Sequence, residues 1–275
     1  RYYYLIENHI KKNIGNIKIK DLNDKLINNY LEKELKTGLL NKPGGLSKNS
    51  VYDIRIILKQ VLKINSIDIE LMKISKEVGK GKDLYKEDKR KLLNYLNTIN
   101  GNIKIGILLS LLLGLRESEI CGLKYSDIDL NNKIVNINRI IVRVKSFNTK
   151  KKTKLIITNP KTEYSKRTLP IPDKLYSVLR KKTEENNLSS YILTNTENFM
   201  DPRTFYGRYK RILNKLDLNK YTFHDLRHTF ASNCVEIGID PKTLMELLGH
   251  SNVSTTLNIY VHSSLDNKRN YINKL

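Results

Sequence analysis

Cysteine is nearly absent from this chain of 275 residues, which carries only Cys121 and Cys234. Two thiols so far apart cannot form a cysteine-rich zinc cluster or a disulfide framework, so both are read as reduced, buried residues. Long apolar runs are also missing. The most apolar stretch, Ile105 to Leu115, is interrupted by Gly106, Ser110 and Gly114 and stops at Arg116, well short of the roughly 20 residues a bilayer span needs. The first seven residues, tyrosine-rich and then charged, have no apolar core or small-residue cleavage site of a secretory signal. The cytoplasm is the expected compartment, with no membrane partner. Internal repeats and long low-complexity blocks are lacking too.

Acidic residues are the other shortage. Asp and Glu total 28 against 50 Lys and Arg, a formal charge of +22, which calls for a polyanionic partner. The 39% hydrophobic content is enough to build real cores.

Residues 1–78 carry helical patterns only. The clearest begins at Ser47, a good N-cap, and places Val51, Ile54, Leu58, Val61 and Leu62 on a core-facing stripe. Tyr52, Arg55, Lys59 and Lys63 form a second face, suited to phosphates or simply to solvent. Residues 79–84, with Gly-Lys-Gly-Lys-Asp at their centre, read as an interdomain linker, and 85–275 as a second domain. Within it, Lys86–Leu96 and Ile103–Leu113 read as helices and Ile134 to Val142 as a strand. Leu155–Thr158 and Arg167–Ile171 read as two further strands, with Lys161 to Tyr164 at a hairpin turn between them. Lys150 and Lys151 belong to a basic loop cluster. Asp127 to Asp129 reads as a turn before the first strand and lacks the Gly and Glu of a calcium loop. Thr222 with Asp225, Asp240-Pro241 and Gly249 mark helix boundaries.

Three segments can carry chemistry. In Phe223-His224-Asp225-Leu226-Arg227-His228, two imidazoles and a guanidinium share one face in the first turn of a helix, where free N–H groups and the dipole favour an anion. Taken alone, the same residues also suit a packed histidine beside a surface arginine. Gly114-Leu115-Arg116-Glu117-Ser118-Glu119 puts an arginine at the end of an apolar helix, which is equally the position of a snorkelling terminus. Leu248-Gly249-His250 is followed ten residues later by Tyr260, which is a nucleophile or a core aromatic.

Together these pieces resemble the tyrosine recombinase (phage integrase) family, whose pattern is Arg, Lys, His-x-x-Arg, His or Trp, then Tyr. The resemblance covers essentially the whole chain and is closest to integrases of bacterial conjugative transposons. It implies a mainly α fold with a small antiparallel β-sheet, made of a helical core-binding domain and a mixed α/β catalytic domain with a tail after the nucleophile. By resemblance Arg116, Lys161, His224, Arg227, His250 and Tyr260 are catalytic, Tyr260 being the nucleophile, with Glu119 and His228 in support. The implied reaction is strand cleavage and rejoining through a 3′-phosphotyrosyl bond, without cofactor or metal. The implied partners are double-stranded DNA at element ends and target, and three further copies of the chain in a tetramer on two sites. An accessory excision factor or host DNA-bending protein fits the same scheme. Candidate DNA contacts are Tyr52, Arg55, Lys59, Arg143, Lys150 and Lys151. The chain begins at Arg1, without an initiator Met or an arm-binding domain, and reads as a fragment of a longer protein. Two other readings remain: a type IB topoisomerase, and a helix-turn-helix regulator built on Asp240–Leu248 and Val253–Tyr260.

Overall fold

The structure, a computed structural model, describes residues 1–77, 81–146, 153–160, 163–260, 269, 272 and 273. The chain divides into two compact units, Arg1–Lys80 and Gly81–Leu275.

The first unit is helical. Helices α1 (Tyr2–Leu5) and α2 (Lys11–Ile14) are joined by a π-helical turn over Ile6–Ile10, and are followed by α3 (Asp24–Thr37) and α4 (Lys48–Ile64). Ser47 caps α4 by accepting from the Ser50 N–H at 3.3 Å. The expected stripe on α4 is borne out at Val51, Ile54, Leu58 and Leu62, which are buried with Ile27, Tyr30 and Leu31 of α3. Val61 departs from it and is half exposed, while Ile57, outside the expected stripe, is buried. A buried His9–Glu34 pair at 2.8 Å fastens the π turn to α3.

The second unit opens with residues fastened to a later helix. Backbone N–H groups of Lys82, Leu84 and Tyr85 donate to Asp225, Thr229 and Tyr221. Then come α5 (Lys86–Thr98), α6 (Asn102–Leu113) and α7 (Glu117–Gly122). The strands are β1 (Ile128–Asp129), β2 (Ile134–Ile137), β3 (Ile140–Lys145), β4 (Thr153–Thr158) and β5 (Arg167–Pro170). The unit continues with α8 (Asp173–Glu184), α9 (Pro202–Lys215), α10 (Phe223–Glu236), α11 (Pro241–Leu248) and α12 (Val253–Tyr260).

Helix α6 is apolar on every side and sits in the centre of the core, against α7, α8, α9 and α10, as a helix without a polar face must. Gly114 ends it in the left-handed conformation at φ +66°, and a Cβ there would meet the Phe230 ring at 2.5 Å. Among the described residues no helix is long and apolar enough to cross a membrane, and both cysteines are free and buried.

The strands correct the sequence reading in three places. The stretch from Ile134 to Val142 is two strands, broken at Asn138-Arg139, and they belong to different sheets: β1-β2-β5 and β3-β4, both antiparallel. Residues 155–158 and 167–170 therefore do not face each other as a hairpin; β4 pairs with β3 and β5 with β2, so the segment between them crosses from one sheet to the other. Ile128–Asp129 is a short strand rather than a turn, paired with Ile134 and Val135. Periodicity cannot show a break where apolar residues continue on both sides. Here Arg139 turns the chain by pairing with Asp127 at 2.6 Å and with the Gly122 carbonyl.

Candidate active site

A cavity of about 620 Å³ opens in the second unit, lined by Arg116, Glu119, Ser165, His224, Gly249 and His250 among others. Three helices supply the charged and imidazole groups, each through its end. Arg116 is the N-cap of α7, where the Glu119 carboxylate takes both the Arg116 backbone N–H at 2.8 Å and its Nη1 at 2.9 Å. His224 and Arg227 lie in the first turns of α10, whose start is held by Asp225 accepting from the Thr222 N–H and hydroxyl. Asp240 caps α11 ahead of Pro241, and Gly249 closes it at φ +62°. There the N–H groups of Gly249 and His250 return to the carbonyls of Glu246 and Met245, a Schellman ending that sets His250 at the cavity rim.

The site is crowded with positive charge. Arg227 is 4% exposed, and its Nη1 and Nη2 donate to the carbonyls of Gly114 and Leu248, both at 2.6 Å. Burial and the Arg116 charge press against its ionisation while Glu119 supports it; a guanidinium keeps its proton under that pressure. Burial pushes His224 down to about 4, helped by His228, Arg227 and Arg116, and pushes His250 down to about 3, helped by Arg227, Arg116 and Arg167. Both imidazoles are therefore neutral at pH 7 in the free protein. For Glu119, burial works to raise the pKa, but the guanidiniums of Arg167, Arg116 and Arg227 outweigh it and hold the carboxyl below its usual range. An anion entering this cavity meets the Arg116 guanidinium and two neutral imidazoles, with the charge of the buried Arg227 close to His250 and His224.

Arg116, Glu119, His224, Arg227 and His250 are thus brought together. His228 stacks edge-on against His224 at 4.7 Å, and its other neighbour is Gly81, where a Cβ would sit 2.4 Å from the ring. Tyr260 lies at the end of α12 beside the cluster of Ala231, Cys234, Val235 and Leu244, and its hydroxyl donates to the Ile239 carbonyl. Lys161, Lys150 and Lys151 lie outside the described residues. Arg143 is engaged with Asp201 and Thr153. In the first unit Arg55 directs its Nε to the Met72 carbonyl at 2.7 Å, while Lys59 is exposed and Tyr52 partly so.

Two participants escaped the sequence reading. Arg167 appeared only as the start of a strand, yet its side chain is only 6% exposed and ion-paired to Glu119 at 2.9 Å; an arginine at a core-facing strand position was the available signal. Thr256 is fully buried, with its hydroxyl 2.9 Å from His250 Nδ1, and nothing in its sequence context marks it. The two helices of the regulator reading both exist, as α11 and α12, but the turn between them forms a wall of the cavity.

Comparison with known proteins shows the family and the fold. Residues 82–266 match the model of the phage integrase family, and the chain belongs to that family. A XerC-like tyrosine recombinase of Caldanaerobacter subterraneus is 32% identical over 91% of this chain and 65% of its own length. The transposase from transposon Tn916 of Enterococcus faecalis is 32% identical over 58% of this chain and 42% of its own length. The chain thus spans 42–65% of the length of these curated relatives. In fold it is similar to the Tn1549 transposon integrase in complex with transposon right end DNA, with a TM-score of 0.74, 20% identity, and coverage of 99% of this chain and 91% of that one.

Proposed function

We propose that this chain is the DNA-cleaving part of a mobile element's site-specific recombinase, with unit 85–275 catalytic and residues 1–78 gripping the DNA core site. The observation that carries the reading is the convergence of Arg116, His224 and His250 around one cavity, with Arg227 buried beside the two histidines and braced on the Gly114 and Leu248 carbonyls. Cleaving a phosphodiester adds negative charge to the non-bridging oxygens, and planar guanidinium forks hold such oxygens by paired hydrogen bonds. The phosphate's negative charge makes both imidazoles more basic while they remain neutral, so His224 becomes a better proton acceptor. His224 then takes the Tyr260 proton as the phenol oxygen bonds to phosphorus, and His250, with Nδ1 held by Thr256, donates to a non-bridging oxygen. The phosphorus–O5′ bond breaks and Lys161 protonates the leaving oxygen. For this attack the Tyr260 hydroxyl leaves the Ile239 carbonyl, so α12 moves when DNA is bound. A 5′ hydroxyl from another strand reverses the step, giving recombination.

The proposed partner is double-stranded DNA at element ends and target; the similarly folded Tn1549 integrase, in complex with transposon right end DNA, supports DNA as the partner. The working assembly is a tetramer on two sites, aided by an accessory excision or DNA-bending protein, in a bacterial cytoplasm. Tyr52 and Lys59 are the leading DNA contacts of the first unit. The test is incubation with labelled element-end DNA, nicked beside the cleavage point, in EDTA. A covalent protein–DNA band that vanishes in Tyr260→Phe supports transesterification, whereas binding without any band overturns it. A synaptic complex holding two DNA sites separates recombination from the one-site action of a topoisomerase.

A further inference from the structure

The end of α11 presents three consecutive carbonyls outside its helical ladder, and each is taken by a different arginine. Leu247 accepts from Arg167 Nε at 2.8 Å, Leu248 from Arg227 Nη2 at 2.6 Å, and Gly249 from Arg116 Nη2 at 3.3 Å. Cations belong at this negative end of the helix dipole. The second anchor is Glu119, which is 2% exposed. Its Oε1 accepts from Arg116 Nη1 and Arg167 Nη1, and its Oε2 from the Arg116 N–H and Arg167 Nη2. The carboxylate is saturated, and two of its four bonds come from Arg167.

Arg167 has little left to offer a ligand. With a further bond from Nη1 to the Ser165 carbonyl, four of its five N–H groups are used, and its side chain is almost sealed from solvent. Arg116 is the opposite case. Its guanidinium makes one bond to Glu119 and one to Gly249, is one-third exposed, and lines the cavity.

We propose that Arg167 is a positioning residue for strand cleavage: it fills half of Glu119 and holds the Leu247 carbonyl, which leaves the Arg116 guanidinium free for the scissile phosphate. A buried carboxylate facing a single guanidinium draws it into a two-bonded fork. Without Arg167, Arg116 closes onto Glu119 and turns from the cavity. The inference rests on the transesterification reading.

Single-turnover cleavage of the nicked site at saturating DNA, together with equilibrium DNA affinity, tests it. Arg167→Gln is expected to cleave about 10–100-fold more slowly, the usual loss for a group that orients a reacting residue, with unchanged DNA affinity. Arg167→Lys, which keeps a charge and one bond to Glu119, recovers part of the rate. Because Arg167 acts through Glu119, adding Arg167→Gln to Glu119→Gln costs little further rate. A loss shared equally between affinity and rate, or one that recurs in full on the Glu119→Gln background, overturns the role. If Arg167→Gln does not fold, Arg167→Lys with and without Glu119→Gln supplies the same comparison. A wild-type chain that forms no covalent band refutes the transesterification reading itself; an active wild type with Arg167→Gln at full speed refutes only the positioning role.

Discussion

Arg227→Lys separates two tasks that a single guanidinium performs. In the free protein Arg227 ties the end of α6 to the end of α11 through the Gly114 and Leu248 carbonyls. A charged hydrogen bond of this kind contributes about 1.5–3 kcal/mol, and a buried carbonyl left unmet costs about 1–3 kcal/mol. A lysine ammonium keeps the charge but reaches one carbonyl, so the exchange costs roughly 3 kcal/mol, after allowing for the strain Arg227 already carries by being buried among like charges. For a unit spanning Gly81–Leu275 that is a fall of roughly 6–12 °C in Tm. Arg116→Lys is the control, since Arg116 is one-third exposed and its carbonyl bond is long; it should melt close to wild type. Both variants should lose about 100-fold or more in strand cleavage, because neither lysine can offer a fork to the phosphate. Differential scanning calorimetry with single-turnover cleavage reads both quantities. Equal melting of the two variants would falsify the bracing role, and near-wild-type cleavage by Arg227→Lys would remove it from the reaction.

Four further outcomes are expected. His224 and His250 have folded pKa values near 4 and 3, below the unfolded value near 6.5. The unfolded chain therefore binds more protons between those limits, and their contribution to stability, complete above pH 6.5, is lost as pH falls toward 4; a Tm independent of pH over that window, both in wild type and relative to a His224→Gln His250→Gln double variant, would contradict the assignment. Thr256→Val removes the partner of His250 Nδ1 and should slow cleavage about tenfold with little change in DNA affinity, read in the nicked-site assay. Gly249→Ala forces a side chain into the left-handed region and to within 3.0 Å of Arg167 Nη1 and the Tyr164 carbonyl, so it should lower both Tm and cleavage. If the tail after Tyr260 packs onto a neighbouring copy in the proposed tetramer, removal of residues 264–275 should reduce the yield of tetrameric complex in gel-shift assays while leaving single-site binding intact.

Sequence alone determined the chemistry on offer. The order and spacing of Arg116, His224, Arg227, His250 and Tyr260 were legible because they ride on local signals: a capping box at Thr222, a proline after Asp240, a left-handed glycine at 249. Helix ends are local events, governed by residues within one turn. Core-facing residues followed from periodicity for the same reason, with Val61 the exception on α4. Tertiary structure decided what each group is bonded to. The split of the strands between two sheets, the sharing of Glu119 by Arg116 and Arg167, the three carbonyls of α11, and the tethering of Tyr260 to Ile239 all join residues far apart in the chain. Such contacts depend on which buried polar group finds which partner once the core has closed, and no local pattern encodes that choice.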